Sequence, residues 1–206
     1  MRSLEKKLKR GLIRVIGPLF RSRSPNGEVK RVLFVRVDDR LGNLILISPA
    51  IDWLHAESPD ICIDLVASKS FASIYADDPR ISQLTVLDKQ RQKSFFPFFL
   101  GDLARVGRRR YDAALECSDR NAFSFNSALY ALASRAPRRI GFANEQTTHY
   151  LTEEAQSDAG RHAARDPLLL AGALLGRTPP AIEDCRLSIH LPEPSRAWKE
   201  CLEQMR

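Results

Sequence analysis

A chain of 206 residues, 44% of them hydrophobic, carries enough apolar side chain for the core of one ordinary domain, which excludes a disordered chain. The formal net charge of +7 is unevenly held: residues 1–31 carry ten Lys/Arg and two Glu, while the other 175 carry 22 basic and 23 acidic side chains, so the body is near neutral and a nucleic-acid-binding fold is not indicated. No apolar run reaches the roughly 18 residues of a spanning helix, and Cys62, Cys117, Cys185 and Cys201 lack C-x-x-C spacing, which speaks against a metal site; Cys62 and Cys117, in expected strands, read as small core residues of a reducing compartment.

The leader comes first in chain order. Leu4, Leu8, Leu12, Val15 and Leu19 recur at helical spacing on one narrow face, and Lys6, Lys7, Lys9, Arg10 and Arg14 occupy much of the rest. The pattern predicts an interfacial helix over 1–20 on an anionic membrane surface; the plainer alternatives are a solvated tail or a helix packed on the domain. No cleavage pattern of a secretory signal follows, and residues 22–27 read as a linker.

From residue 30 onward strands and helices alternate. Val32, Leu33, Phe34, Val35 and Val37 predict a strand over 31–37 buried on both faces. Residues 38–43 break it, and a helix follows over 44–56 with Asn43 as its N-cap. A Ser58-Pro59-Asp60 turn leads to a strand over 61–67, a short helix over 70–75 and, past Asp77-Asp78-Pro79, a third strand over 83–87. A helix over 94–110 turns Leu100, Leu103, Ala104 and Val106 inward. A fourth strand spans 111–117, a helix 121–134 and a short fifth strand 139–142. Residues 144–160 show no period. A helix over 162–175 closes on Gly176 as its C-cap. Beyond Thr178-Pro179-Pro180, residues 187–191 read as a strand and 195–205 as a helix, too little for a second domain. This alternation predicts an α/β fold, a Rossmann-like doubly wound parallel sheet over 30–178, with a leader and linker over 1–29.

Candidate chemistry concentrates in the loop after the first strand. The three-glycine dinucleotide fingerprint and the GK[ST] of a P-loop are both missing there. Gly42 admits a tight turn and close approach of a ligand. Asp38 and Asp39, at the C-terminal end of a parallel strand, can accept a hydrogen bond or a proton from a sugar hydroxyl; loop carboxylates beside a helix cap, with no ligand, are the competing reading. Glu116, Ser118, Asp119, Arg120 and Asn121 end strand four on the same sheet edge. Arg120 there either grips a phosphate or carboxylate or pairs with a surface Asp. Arg138 and Arg139 either bind an anion or form a solvated basic pair. His162 is either a ligand contact or, the preferred reading, a helix-start residue bonded to backbone, and His55, His149 and His190 have no metal spacing. Phe95, Phe96, Phe98 and Phe99 read as one face of a core helix, because Phe95 and Phe99 share a side.

The stretch VDDRLGNLILISPAI resembles the opening of glycosyltransferase family 9, "Arg-x-Asp-x-(Ile/Leu)-Gly-Asp, apolar helix with Thr/Ser-Pro-Ala-Leu". Further stretches follow in the family's order: Pro59-Asp60 before a strand, Asp78-Pro79-Arg80-Ile81 before TVLD, Arg109-Arg110-Tyr111-Asp112, Ala136-Pro137-Arg138-Arg139-Ile140-Gly141-Phe142, and His162 before Leu168 to Gly176. The resemblance, over about 31–176, implies the N-terminal, acceptor-engaging lobe of a GT-B enzyme, with 179–206 a linker and the start of a C-terminal lobe that carries the donor site. It implies transfer of a heptose or related sugar, with inversion, from a nucleotide-sugar such as ADP-heptose to a lipid-linked, lipopolysaccharide-core-type acceptor. No metal and no nucleic acid are implied, and the place of work is the cytoplasm, peripheral on the inner membrane's cytoplasmic face. The family's base, the Asp of its Gly-Asp pair, falls on Asn43, which has no useful basicity. Either Asp38 or Asp39 takes that role or the chain is a non-catalytic acceptor-binding module; a different Rossmann-like nucleotide binder is the third reading. Arg40, Gly42, Asp119, Arg120 and Arg139 are the expected acceptor contacts.

Overall fold

The computed structural model describes residues 2–20, 27–90, 96–144, 147–156 and 162–190. Its strands are β1 (Arg31–Arg36), β2 (Cys62–Ser68), β3 (Ile81–Leu87), β4 (Ala113–Glu116), β5 (Arg138–Phe142) and β6 (Glu153–Ala155). They form one sheet in the order β3-β2-β1-β4-β5-β6, parallel at every pairing. The helices are α1 (Arg2–Ile16), α2 (Leu41–Ile45), α3 (Ser48–Glu57), α4 (Phe96–Gly107), α5 (Phe125–Ala133) and α6 (Arg165–Leu175).

Because side chains alternate across a strand, β1 feeds two cores. Val32 and Phe34 pack with Leu44, Ile47, Ile51 and Leu54 of α2 and α3 and with Leu168 and Ala171 of α6. Leu33 and Val35 pack with Val106 of α4 and Tyr130 of α5 on the other face. All four are fully buried, each contributing roughly 1.5–3 kcal/mol. The doubly wound parallel sheet expected from the alternation is the observed one.

Several boundaries differ from expectation. The helix expected over 44–56 is two helices, broken at Leu46-Ile47 with Pro49 in the first turn of the second. Asn43 does not cap it: the N-cap position is Arg40, in an extended conformation without a side-chain cap bond. The helix expected from 121 begins at Phe125, where the Ser124 side chain caps the Ser127 N–H. The helix expected from His162 begins at Arg165, and His162 Nδ1 accepts from the Ala164 N–H at 3.2 Å. A sixth strand lies in the stretch that showed no period. Gly176 does close α6, in the left-handed conformation with φ 64°. Residues 187–190 form no strand. The helix expected over 195–205, Phe95, and the side chains of Leu4, Lys6, Leu19, Phe96, Phe98 and Phe99 lie outside the described residues.

The polar stretches that carried the family resemblance hold elements together. Asp64 of β2, 1% exposed, accepts from the Tyr111 hydroxyl at 2.8 Å and Arg109 Nη1 at 3.1 Å, and pairs with Arg31 at 3.3 Å. The Asp112 carboxylate accepts from the backbone N–H groups of Lys30 and Arg31, both at 2.8 Å. Arg80 binds Asp78, Asp52 and the Ser188 hydroxyl, which brings the segment after α6 back onto the domain. Arg138 binds Glu153 of β6 through Nε and Nη2, at 2.6 and 2.7 Å.

The leader is docked. Ile13 is 1% exposed against Ala128, Ala131 and Leu132 of α5 and Tyr150. The 3-10 turn at Gly17–Phe20 follows α1, and a Cβ on Gly17 would run into the His149 carbonyl. Among the described residues no helix is long and apolar enough to cross a membrane.

Candidate active site

The strand order reverses between β1 and β4, the place where open α/β sheets bind ligands beyond the carboxyl ends of their strands. A cavity of about 180 Å³ opens there. Arg36, Arg40 and Asn43 line it from the β1 side, Ser118 to Asn121 from the β4 side, and Asp166 from the first turn of α6.

Arg36 ends β1 and is buried; its Nη1 donates to the Cys117 carbonyl, and its Nε stands 2.7 Å from Asp38 Oδ2 as a charge pair. Asp38 Oδ1 accepts from the Arg40 N–H at 3.2 Å and from Asn43 Nδ2 at 3.3 Å. Asp38 is therefore the brace of this loop, and the Asn43 amide is one of its donors. Asp39 turns to the β2–β3 side, where it accepts from Lys89 Nζ at 2.6 Å, from Ser70 at 3.3 Å and from Ser68. Partial burial raises its affinity for a proton, but the bonds from Lys89 and Ser68 outweigh this and hold its pKa below the usual carboxylate range. Neither Asp38 nor Asp39 lines the cavity.

Asp166 does line it, and spacing alone gave no sign of it. Its side chain is 19% exposed and stands 3.6 Å from Arg120 Nη1. Burial pushes its pKa up; the Arg120 and Arg36 guanidiniums oppose the shift and the neighbouring Asp119 reinforces it. The signal available in the sequence was an acid in the first turn of a helix that returns to the strand ends, where the helix dipole favours a carboxylate.

Of the other expected contacts, Arg40, Asp119 and Arg120 reach the cavity. Asp119 also accepts from the Asn121 N–H at 2.9 Å, which sets the turn after β4. Gly42 lies inside α2, and a Cβ there would meet nothing within 4 Å. The expected reason for this glycine, a tight turn, is therefore absent. Arg139 is 1% exposed and donates to the carbonyls of Tyr150, Ala136 and Phe20, so it stabilises backbone away from the cavity. Among the described residues no group of three or more His, Cys, Asp or Glu could hold a metal ion.

Neither a family profile nor a curated protein matches the sequence itself. Solved structures do match. The heptosyltransferase WaaC of E. coli, solved with ADP, superimposes with a TM-score of 0.60 at 17% identity, over 73% of this chain and 49% of its own. The same enzyme with ADP-2-deoxy-2-fluoro heptose gives 0.58 at 16% identity, over 73% and 50%. A family 9 glycosyl transferase from Veillonella parvula gives 0.62 at 21% identity, over 89% and 50%. The fold matches half of each of these glycosyltransferase structures. The chain spans about half the length of each of these structures, and the likeness at this identity is one of fold.

Proposed function

We propose that this glycosyltransferase-like chain is the acceptor-side half of an inverting transferase, moving a heptose or related sugar from a nucleotide-sugar donor to an anionic, lipid-linked glycan of the lipopolysaccharide-core type. The observation that carries this reading is the cavity where the strand order reverses, which gathers Asp166, Arg36, Arg40, Arg120 and Asn43 on one small opening. Arg40 and Arg120 grip an acidic group of the acceptor, a task suited to a planar, always-charged fork. Asp166 takes the proton of the attacking hydroxyl. That oxygen then bonds to the sugar's anomeric carbon as the bond to the diphosphate breaks on the opposite face. The leaving diphosphate is held by the half that this chain does not span. A carboxylate pushed up by burial is basic enough for this task, whereas Asp39 is held low by Lys89 and the Asn43 amide is not a base.

The test is transfer from ADP-heptose to a phosphorylated core glycan, catalysed by the gene's complete reading frame. Asp166→Asn lowers kcat/KM by about a hundredfold or more and removes the rise of activity with pH that the free carboxylate produces. Arg120→Ala weakens acceptor binding roughly ten- to a hundredfold, the ~1.5–3 kcal/mol of a charge-assisted bond. An unchanged rate in Asp166→Asn beside a collapse in Asp39→Asn overturns the assignment of the base. A second reading, an acceptor-binding module without turnover, is favoured by one observation, the amide of Asn43 spent on Asp38. Acceptor binding without any transfer by the complete reading frame would establish it.

A further inference from the structure

The leader helix presents two apolar sides. Ile13 and Ile16 face α5, while Leu8, Leu12 and Val15 lie on the adjoining side, 66%, 48% and 70% exposed. Lys7, Arg10 and Arg14 complete the circumference and are all exposed. Docking therefore consumes only half of the apolar arc, and the outer half stays uncovered among the described residues. Where Ile16 and the turn after α1 meet α4 and α5 there is a groove of about 780 Å³. Its walls are apolar: Ile16 and Phe20 on one side, Leu103 and Ala104 on the second, Leu129 and Leu132 on the third. Its rim carries Arg108, Arg110 and Arg135, all exposed and none with a carboxylate partner among the described residues.

Two of those arginines hold a conformation that glycine adopts more readily. Arg110 has φ 52° and Arg135 φ 55°, each just past the end of a helix that borders the groove. The sequence keeps a guanidinium at both places against the backbone preference. An apolar slot rimmed by unneutralised guanidiniums, beside exposed leucines flanked by lysine and arginine, matches one chemistry: an acyl chain joined to an anionic headgroup, at the surface of a bilayer.

We infer that the α1–α4–α5 face docks on an anionic phospholipid bilayer, with Leu8, Leu12 and Val15 entering the interface and one lipid seating its chain in the groove and its headgroup among Arg108, Arg110 and Arg135. This inference is independent of the transferase reading, because the groove shares no lining residue with the cavity beyond β1 and β4, and it can be tested without any turnover. It gives the basic leader a defined role: the net charge of +8 over residues 1–31 draws the chain to the surface, and the docked helix fixes the orientation in which it lands.

The experiment is sedimentation of the full chain with large vesicles of phosphatidylcholine, with and without phosphatidylglycerol. Binding is expected with the anionic vesicles only, falling as salt is raised. Leu8→Asp with Leu12→Asp, and separately Arg108→Glu with Arg135→Glu, each weaken it roughly tenfold or more; circular dichroism confirms that both pairs fold. Leu103→Trp reports the groove: its added fluorescence over that of the parent chain is quenched by vesicles with brominated acyl chains. Equal binding to neutral vesicles, no vesicle binding at all (as for a face that meets a protein), or binding indifferent to both charge-altering pairs overturns the bilayer assignment. Binding with an unquenched Trp at position 103 overturns the seating of a lipid chain in the groove.

Discussion

At the residue scale, three carboxylates within reach of one sheet edge have been given different environments. Asp38 is held by Arg36, Arg40 and Asn43, Asp39 by Lys89 and two serines, and Asp166 shares a cavity with Arg120. The sequence showed the first two because they sit side by side in a loop; it concealed the third because its place depends on α6 returning to β1 and β4 from far along the chain. A fourth acid, Glu116, ends β4 in full burial, where the Tyr150 hydroxyl donates to it at 3.3 Å. Burial raises its pKa above the ordinary value of 4.5, with Ser118, Tyr150 and Arg36 opposing the shift. A raised carboxylate stabilises the fold in its protonated form: that contribution is full below the unfolded pKa and is lost as pH rises through the folded one. Glu116→Gln, which keeps the shape and needs no proton, is therefore expected to flatten the loss of stability between the ordinary glutamate pKa and neutrality. Urea midpoints of both chains across that range would check it. Parallel pH curves would show that Glu116 titrates as it does in the unfolded chain.

At the element scale, the hydrophobic run of β1, the glycine stop of α6 and the strand–helix alternation were legible because each is set by local physics: burial on both faces, a left-handed cap, chain direction. The split between α2 and α3 was not, since Leu44 and Ile51 bury on either side of the break and the apolar spacing runs through it. Strand β6, Glu153–Ala155, is too short to display a period. The polar motifs between the elements were legible as motifs but not as to purpose. Arg109, Tyr111 and Arg31 all converge on Asp64, so this resemblance reflects a bolt between β2 and the start of β4 rather than a contact with substrate. Removing the acceptor from such a cluster strands a buried hydroxyl and takes the partner from two guanidiniums that are about one-third exposed. Asp64→Ala is expected to destabilise the domain by about 1–3 kcal/mol, chiefly through the unpaired Tyr111 hydroxyl, read as a lower urea midpoint with an unchanged slope. A loss under about 1 kcal/mol, the range of an exposed pair, would show the cluster to be dispensable.

At the scale of the whole molecule, charge and packing divide differently along the chain. Charge sets the first 31 residues apart from a near-neutral body, and the sequence therefore read them as an appendage. Packing joins them to it: Ile13 packs on Ala128, Ala131 and Leu132 of α5, Arg139 donates to the Phe20 carbonyl at 3.1 Å, and Lys9 sits 5.7 Å from the centre of the Phe125 ring. The joint turns on Gly17, whose missing side chain lets the turn after α1 meet the His149 carbonyl. A methyl group there has to displace backbone on one side or the other, and the cheaper movement is of the leader, which is held on one face, rather than of the β5–β6 connection, which is tied to the sheet. Gly17→Ala is thus expected to release α1 while the sheet continues to melt cooperatively, at a cost of about 1–3 kcal/mol. Amide hydrogen exchange separates this from a solvated tail. In the parent chain the amides of residues 9–16 should be protected and in Gly17→Ala they should exchange as in a free peptide, with protection in β1 and β4 unchanged. Rapid exchange of those amides in both chains would mean that α1 is not held by the domain. The docked orientation of Leu8, Leu12 and Val15 would then lose its structural basis along with it.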